Sequence, residues 1–188
     1  MAVNNWQNFG SEAVSLRDES GSLNNNLVSS VTPQWMIKCD DFFDSDVEGF
    51  DADSTPCLWV KLGASRSTSY DSGGEMTGDG RITSKSVIVS MKYGSWAPLI
   101  QQYMYEGKNV KALSLIRFSN IEGTKVIIQQ IDYTTCKIER YVQDGDIITF
   151  AFNFTKVVDT NTAYGADGTK IGNTAIEFDS STLGVKSS

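Results

Sequence analysis

A mostly β chain, folded as a single-domain β-barrel of about eight strands with one α-helix set among them, is the architecture this sequence predicts. Three observations predict it. Long stretches alternate apolar and polar residues with a period of two. One stretch alone, residues 95–107, carries apolar residues at helical spacing. The segments between are rich in Gly, Asn, Asp and Ser, as the turns of a β-protein are. A single helix among strands has one natural use: it packs on a sheet or seals one side of a barrel.

The chain in order supports this. Residues 1–34 are weakly patterned, and the Asn run at 24–26 favours turns. They read either as a flexible tail or as an arm anchored by Trp6, Phe9, Val14 and Leu16. Residues 35–43 (WMIKCDDFF) form the first strand, followed by an acidic loop up to Pro56. In that loop Asp44, Asp46, Glu48 and Gly49 fall where an EF-hand-like calcium loop would have its first, third, fifth and sixth residues. Thr55 stands where the closing bidentate Glu is needed, and neither flank is a helix, so the pattern favours a solvated acidic loop over a cation site.

Residues 57–64 (CLWVKLGA) read as the second strand. The stretch 65–81 that follows is the most turn-rich of the chain. Its Gly73, Gly74, Gly78 and Gly80 fit neither GxxxxGK[ST] nor GxGxxG, and no helix follows, so it is not a phosphate loop. A loop this long inside a compact domain is usually functional or disordered. Residues 82–93 form a strand that leads into the helix. There Ser95 is the expected N-cap, Pro98 presets φ in the first turn, and Gly107 ends the helix in the left-handed region. Leu99, Ile100, Tyr103 and Met104 make its apolar stripe, with Gln101, Gln102 and Glu106 outside it.

After the helix, 109–119 is a strand, and residues 120–123 make a tight connection. Residues 125–141 are one bent strand or two, with Ile127, Ile131, Tyr133, Cys136 and Ile138 as inward candidates. Asp144-Gly145 is a hairpin signal. Residues 147–158 have the cleanest alternation, with Ile148, Phe150, Phe152 and Phe154 on one face. The opposite face carries Thr149, Ala151, Asn153 and Thr155, small and uncharged, as on a wetted surface or a barrel wall facing a channel. Asn153-Phe154-Thr155 matches a glycosylation acceptor but lies mid-strand, which argues against its use. A last hairpin turns at Asp167-Gly168.

Composition removes whole classes of chemistry. The 188 residues contain no histidine, which excludes Ser-His-Asp and Cys-His catalysis and His-ligated zinc or haem. Cys39, Cys57 and Cys136 are widely spaced and odd in number. That favours three reduced, mostly buried thiols over one disulfide with a spare, and disfavours a metal site. No cofactor is expected. The net charge of −7 argues against nucleic-acid binding through a basic face. No run is long enough to span a membrane, and the first residues have neither a basic n-region nor an apolar h-region.

At the motif level, Tyr93-Gly-Ser-Trp-Ala-Pro-Leu-Ile-Gln-Gln, then Glu106-Gly-Lys-Asn-Val, then Leu113-Ser-Leu-Ile-Arg resembles the family pattern of Hcp, the haemolysin-coregulated tube protein of type VI secretion systems. Thr149-Phe-Ala-Phe-Asn-Phe-Thr-Lys-Val is similar to that family's penultimate strand, and Tyr164-Gly-Ala-Asp-Gly-Thr-Lys-Ile-Gly-Asn-Thr to its closing hairpin. Arg66-Ser-Thr-Ser, followed by glycines and Gly80-Arg81, resembles its ring-stacking loop. The resemblance covers 35–179, leaving 1–34 as an N-terminal arm without an inherited role and 180–188 as a C-terminal tail. It implies a barrel of the Hcp or phage tail-tube kind that assembles into hexameric rings. The rings stack into the inner tube of a contractile machine, are expelled on sheath contraction, and carry effectors in the lumen.

The resemblance also implies the partners: further copies of the chain, the sheath, baseplate and spike proteins, and effector cargo. It implies a bacterial cytoplasmic origin followed by release to the medium or a target cell without a cleaved signal peptide. The expected ring-stacking residues are Arg66, Tyr70, Asp71, Glu75, Met76, Asp79 and Arg81; the expected lumen or subunit-interface face is Thr149, Ala151, Asn153 and Thr155. The tail tube of a phage-like or extracellular contractile injection system is the alternative. A carboxylate-based hydrolase is a further one, since glycoside hydrolysis needs no histidine, but no carboxylate pair is singled out by spacing. The expectation is a structural protein, not an enzyme.

Overall fold

The structure, a computed structural model, describes residues 35–43, 53–70, 76–84, 86–121, 123–165, 167–180 and 184–187. The arm at 1–34 and the acidic loop with Asp44, Asp46 and Glu48 lie outside the described residues. Among the described residues the elements run β1 (Trp35–Lys38), β2 (Ser54–Cys57), β3 (Trp59–Lys61), β4 (Ala64–Tyr70), β5 (Met76–Ser84), β6 (Val87–Lys92) and α1 (Ala97–Glu106). They continue with β7 (Asn109–Ile121), β8 (Thr124–Asp144), β9 (Ile147–Tyr164), β10 (Lys170–Asp179) and β11 (Gly184–Ser187).

Every pairing is antiparallel. The main sheet runs β11-β10-β9-β8-β7-β1-β2, and β6 adds to the first half of β9. Only Leu58 separates β2 from β3, and β3 pairs with β6 through Trp59↔Ser90. The Leu58 amide itself donates to the Ser90 carbonyl at 2.8 Å. The path β1, β2–β3, β6, β9, β8, β7 therefore returns to β1, and the sheet curls into a barrel. Counting β2–β3 as one interrupted stave, this agrees with the barrel read from the sequence. The long strands do double duty: β9 gives its first half to β6 and its second half to β10, while β8 runs along both. The chain also pairs beyond residue 179, where a tail was expected, since β11 lies on Ile176–Asp179 of β10.

The core is the barrel interior. Ile148, Phe150 and Phe152 of β9 are completely buried with Val89 and Met91 of β6, Leu113 and Leu115 of β7, and Ile37 of β1. Phe152 meets Tyr133 of β8 edge to face at 5.2 Å between ring centres.

Helix α1 seals this core. Pro98 stands in its first turn, and Gly107 at φ +62° closes it with a double hydrogen bond, Gly107 N–H to Met104 O and Lys108 N–H to Tyr103 O. That is a Schellman ending, the reason a glycine is needed there. The start differs from the expectation: the cap position is Trp96 and no side chain caps it, so Ser95 is not the N-cap. The indole of Trp96 is buried, and a Cβ on Gly94 would overlap it. The buried face also differs from the stripe expected. Ala97 and Ile100 are fully buried, with Tyr103 and Met104 packed against the core, whereas Leu99 is 41% exposed. Seating the small Ala97 against the barrel rotates the contact line, and Leu99 falls at its edge. Phe42 and Phe43, in the turn after β1, clamp the helix through Tyr103 at 4.8 Å and Trp96 at 5.3 Å.

The segment at 65–81, expected as an irregular loop, is mostly an antiparallel ribbon: β4 and β5 pair from Ala64↔Ser84 to Tyr70↔Met76, with an irregularity between Arg66 and Thr68. It forms a sheet of its own. The strand expected at 82–93 is accordingly two, the end of β5 and β6.

Truncating Ile100 to alanine is expected to cost about 2–5 kcal/mol through lost burial and the cavity left behind. Leu99→Ala should cost a small fraction of that. Urea denaturation midpoints of the two variants check it, and equal midpoints would place the seam elsewhere on the helix.

Candidate assembly surfaces

No group of three or more Cys, Asp or Glu side chains among the described residues could hold a metal ion. The three cysteines are buried and unpaired, and burial pushes the thiols of Cys39 and Cys136 up to about 12, with Cys57 raised further still. They behave as apolar fillers of the core, not as nucleophiles. What the chain offers to other molecules is strand surface.

The row expected to face a lumen or a neighbour does not share one environment. Thr149 and Ala151 are buried within the subunit itself. The Thr149 hydroxyl donates to Ser90 Oγ at 3.2 Å, and Ser90 donates to the Ile148 carbonyl at 3.2 Å, so both hydroxyls are satisfied in the dry interior. Asn153 is half-buried and donates to Glu139; Thr155 is exposed, and its hydroxyl reaches the carbonyls of Thr134 and Thr135 at 3.2 and 3.3 Å. Of the four, only Asn153 and Thr155 are open to another molecule. Small side chains in a clean alternation looked uniformly wet because burial by neighbouring structure leaves no mark in a period-two pattern.

Glu139 was not singled out by its sequence. It is the extra residue of a bulge between Ile138 and Arg140 on β8. The bulge swings it outward, where it accepts from Ser86 Oγ at 2.6 Å and from Asn153. Further along the same strands two carboxylates sit on opposite faces, because Ile131 pairs with Asp159 and Asp132 with Val158. Asp159 receives both its oxygens' bonds from Gln129 at 3.0 Å and another from Asn161 at 3.2 Å. Asp132 receives Gln130 at 3.1 Å and Ser114 at 2.6 Å. Tyr133 is raised well above an ordinary phenol, first by burial and then by the charge of Asp159. Side-chain amides and serine hydroxyls hold these carboxylates, which gives a polar, hydrogen-bonded surface.

Of the residues expected to stack rings, Arg66 and Tyr70 lie on β4, and Met76, Asp79 and Arg81 on β5; Asp71 and Glu75 lie outside the described residues. Register sets Tyr70 opposite Met76 at the far end of the ribbon and Arg66 opposite Ile82 nearer its base. The topology thus brings Tyr70 and Met76 together, while Arg66 and Arg81 stay towards the barrel.

The closing hairpin between β9 and β10 is held by its own chemistry. Gly168 takes φ +77°, and Asp167 accepts from the Thr169 amide at 3.0 Å and from its hydroxyl at 2.9 Å. The amide bond, then the hydroxyl, lower the Asp167 carboxyl below its ordinary range. A lowered folded-state pKa contributes stability that is present above the unfolded carboxyl value and is lost as the pH falls through the folded one. Asp167→Asn is therefore expected to lower the melting temperature at neutral pH, with the deficit shrinking to nothing once the parent carboxyl is protonated in strong acid. Melting curves of both proteins across the acid range test this, and a deficit that persists unchanged at the acid end would remove the charge from the account.

No protein-family model matches the sequence, and no curated protein matches it. Solved structures do match over nearly their whole length. A type six secretion system protein superposes with a TM-score of 0.73 at 16% identity, covering 82% of this chain and 100% of that one. Hcp1 from Salmonella typhimurium gives 0.64 at 11% identity, over 81% and 97% of the two chains. A type VI secretion system effector from Yersinia pestis gives 0.61 at 14% identity, over 77% and 98%. Likeness of this extent at such low identity is likeness of fold, and this chain is built on the Hcp fold.

Proposed function

We propose that this chain is the tube subunit of a type VI secretion machine, assembling into hexameric rings that stack into the inner tube. The observation that carries the reading is the match to a type six secretion system protein over 100% of its length and to Hcp1 over 97%. The motif order read from the sequence supports it independently. So does a barrel whose interior is filled with side chains, leaving strand faces and the β4–β5 ribbon as its working surfaces. In this reading the ribbon governs stacking of rings, the sheath encloses the tube, and the protein is expelled with cargo in the lumen, without a cleaved signal peptide.

Negative-stain microscopy and mass photometry of the purified chain are expected to show six-fold rings. Replacing residues 67–79 by a short Gly-Ser linker is expected to keep the rings and abolish tubes. A protein that stays monomeric at high concentration would sink the tube reading. A shortened chain that still forms tubes would remove the ribbon from the stacking contact, and one that forms no rings would assign the ribbon to the lateral contact.

A further inference from the structure

Strands β7, β8 and β9 share one irregularity at one level. In each, the inward residues change parity: Val110 then Leu113 on β7, Tyr133 then Cys136 on β8, Phe154 then Val157 on β9. Two consecutive residues turn away from the core at each change, namely Lys111–Ala112, Thr134–Thr135 and Thr155–Lys156. Register is unbroken across it, because Val110↔Cys136↔Phe154 and Ala112↔Thr134↔Lys156 both hold, while the intervening Lys111, Thr135 and Thr155 make no ladder pair. Each strand spends one extra residue at the same height, so the three offsets cancel. The middle strand has the strongest distortion. Thr135, a β-branched residue, sits at φ +52°, the only non-glycine with positive φ among the described residues. Such a residue is an outlier held only where its surroundings impose it. The Thr155 hydroxyl supplies the constraint, donating to the carbonyls on both sides of the bend.

We propose that the line Lys111–Thr135–Thr155 is a built corner that fixes the angle between the two halves of the β7–β8–β9 sheet, and that Thr135 and Thr155 are positioning residues for the surface shown to the next copy. A bulge in one strand bends that strand and breaks its pairing; coordinated extra residues in three neighbours bend the whole sheet and keep it paired. Below the corner β9 pairs with β6; above it β9 pairs with β10, Ser114–Arg117 of β7 pair with β1, and the strands run on towards the Asp167 hairpin. The corner lets the apolar side stay inward on both halves. Its effect on assembly rests on the tube reading; its effect on sheet angle does not.

The test measures the angle directly. Spin labels are placed at Asp144→Cys, at the barrel end of β8, and Lys170→Cys, beyond the corner, both exposed positions. The native thiols are buried and raised, so they do not compete for label. Pulsed dipolar spectroscopy should give one narrow distance in the parent and in Thr155→Ser, which keeps the hydroxyl, and a broadened or shifted one in Thr155→Val. Thr135→Asn, a residue that tolerates left-handed backbone, should raise the melting temperature by about 2–4 °C. An unchanged distance in Thr155→Val overturns the corner. If that variant does not fold, a Thr135→Asn melting temperature at or below the parent's overturns it instead. Mass photometry should show uniform rings for the parent and mixed ring sizes for Thr155→Val; uniform rings in both remove the role in assembly. A parent without rings withdraws the tube reading and leaves the distance measurement to decide the corner.

Discussion

The contact on which the rest of this molecule depends is the dry inner face of β9. Ile148, Phe150 and Phe152 are completely buried, and the strand that carries them pairs with β6, β8 and β10. Burying side chains of this size stabilises by roughly 1.5–3 kcal/mol each. That gain is available only if β6 closes on one side and β8 on the other. Closure in turn places β2–β3 against β6 and leaves an open end, which α1 covers with Ala97 and Ile100. The helix therefore does not organise the chain by itself. Its seat exists because the sheet curls, and the Phe42 and Phe43 clamp holds it there.

What could be read from the residues follows from this. A period of two over β9 and a Pro98…Gly107 frame around one helical stripe are local signals, and both elements stand where they point. The N-cap was not legible, because a buried Trp96 outweighs a solvent-exposed serine in setting where the helix begins. The seam of the helix was not legible either. Hydropathy favours Leu99 over Ala97, but a helix lying close on a barrel needs the smaller residue at the contact. The parity change on β8 was visible: the inward candidates Ile131 and Tyr133 are odd-numbered, Cys136 and Ile138 even. Only the coordinates of the neighbouring strands show that β7 and β9 make the same change at the same level.

The β4–β5 ribbon shows the opposite limit. Gly78 and Gly80 read as loop residues because glycine weakens a strand, yet both lie inside β5. The β-branched Thr77, Ile82 and Thr83 of β5, with Thr68 and Tyr70 of β4, were the strand signal that the glycines obscured. A two-stranded ribbon standing apart from the main sheet is marginal on its own. In the proposed tube a neighbouring copy would supply the third layer that the ribbon lacks.

Charge sets the remaining condition on assembly. Each copy carries a net charge of −7, so the proposed rings would have to be held against their own repulsion. The strand surfaces answer this locally. Asp132, Asp159 and Glu139 have their oxygens occupied by Gln, Asn and Ser donors of the same chain, and Lys156 pairs with Glu177 at 3.1 Å. Carboxylates already hydrogen-bonded at home demand no partner across an interface and lose less on approach of a second copy than bare ones would. What is left unbalanced is long-range repulsion, which salt screens over roughly 10 Å at 0.1 M while leaving short contacts almost untouched. In the proposed tube, association would therefore be governed by packing and hydrogen bonding at the interface, with ionic strength acting as the gate.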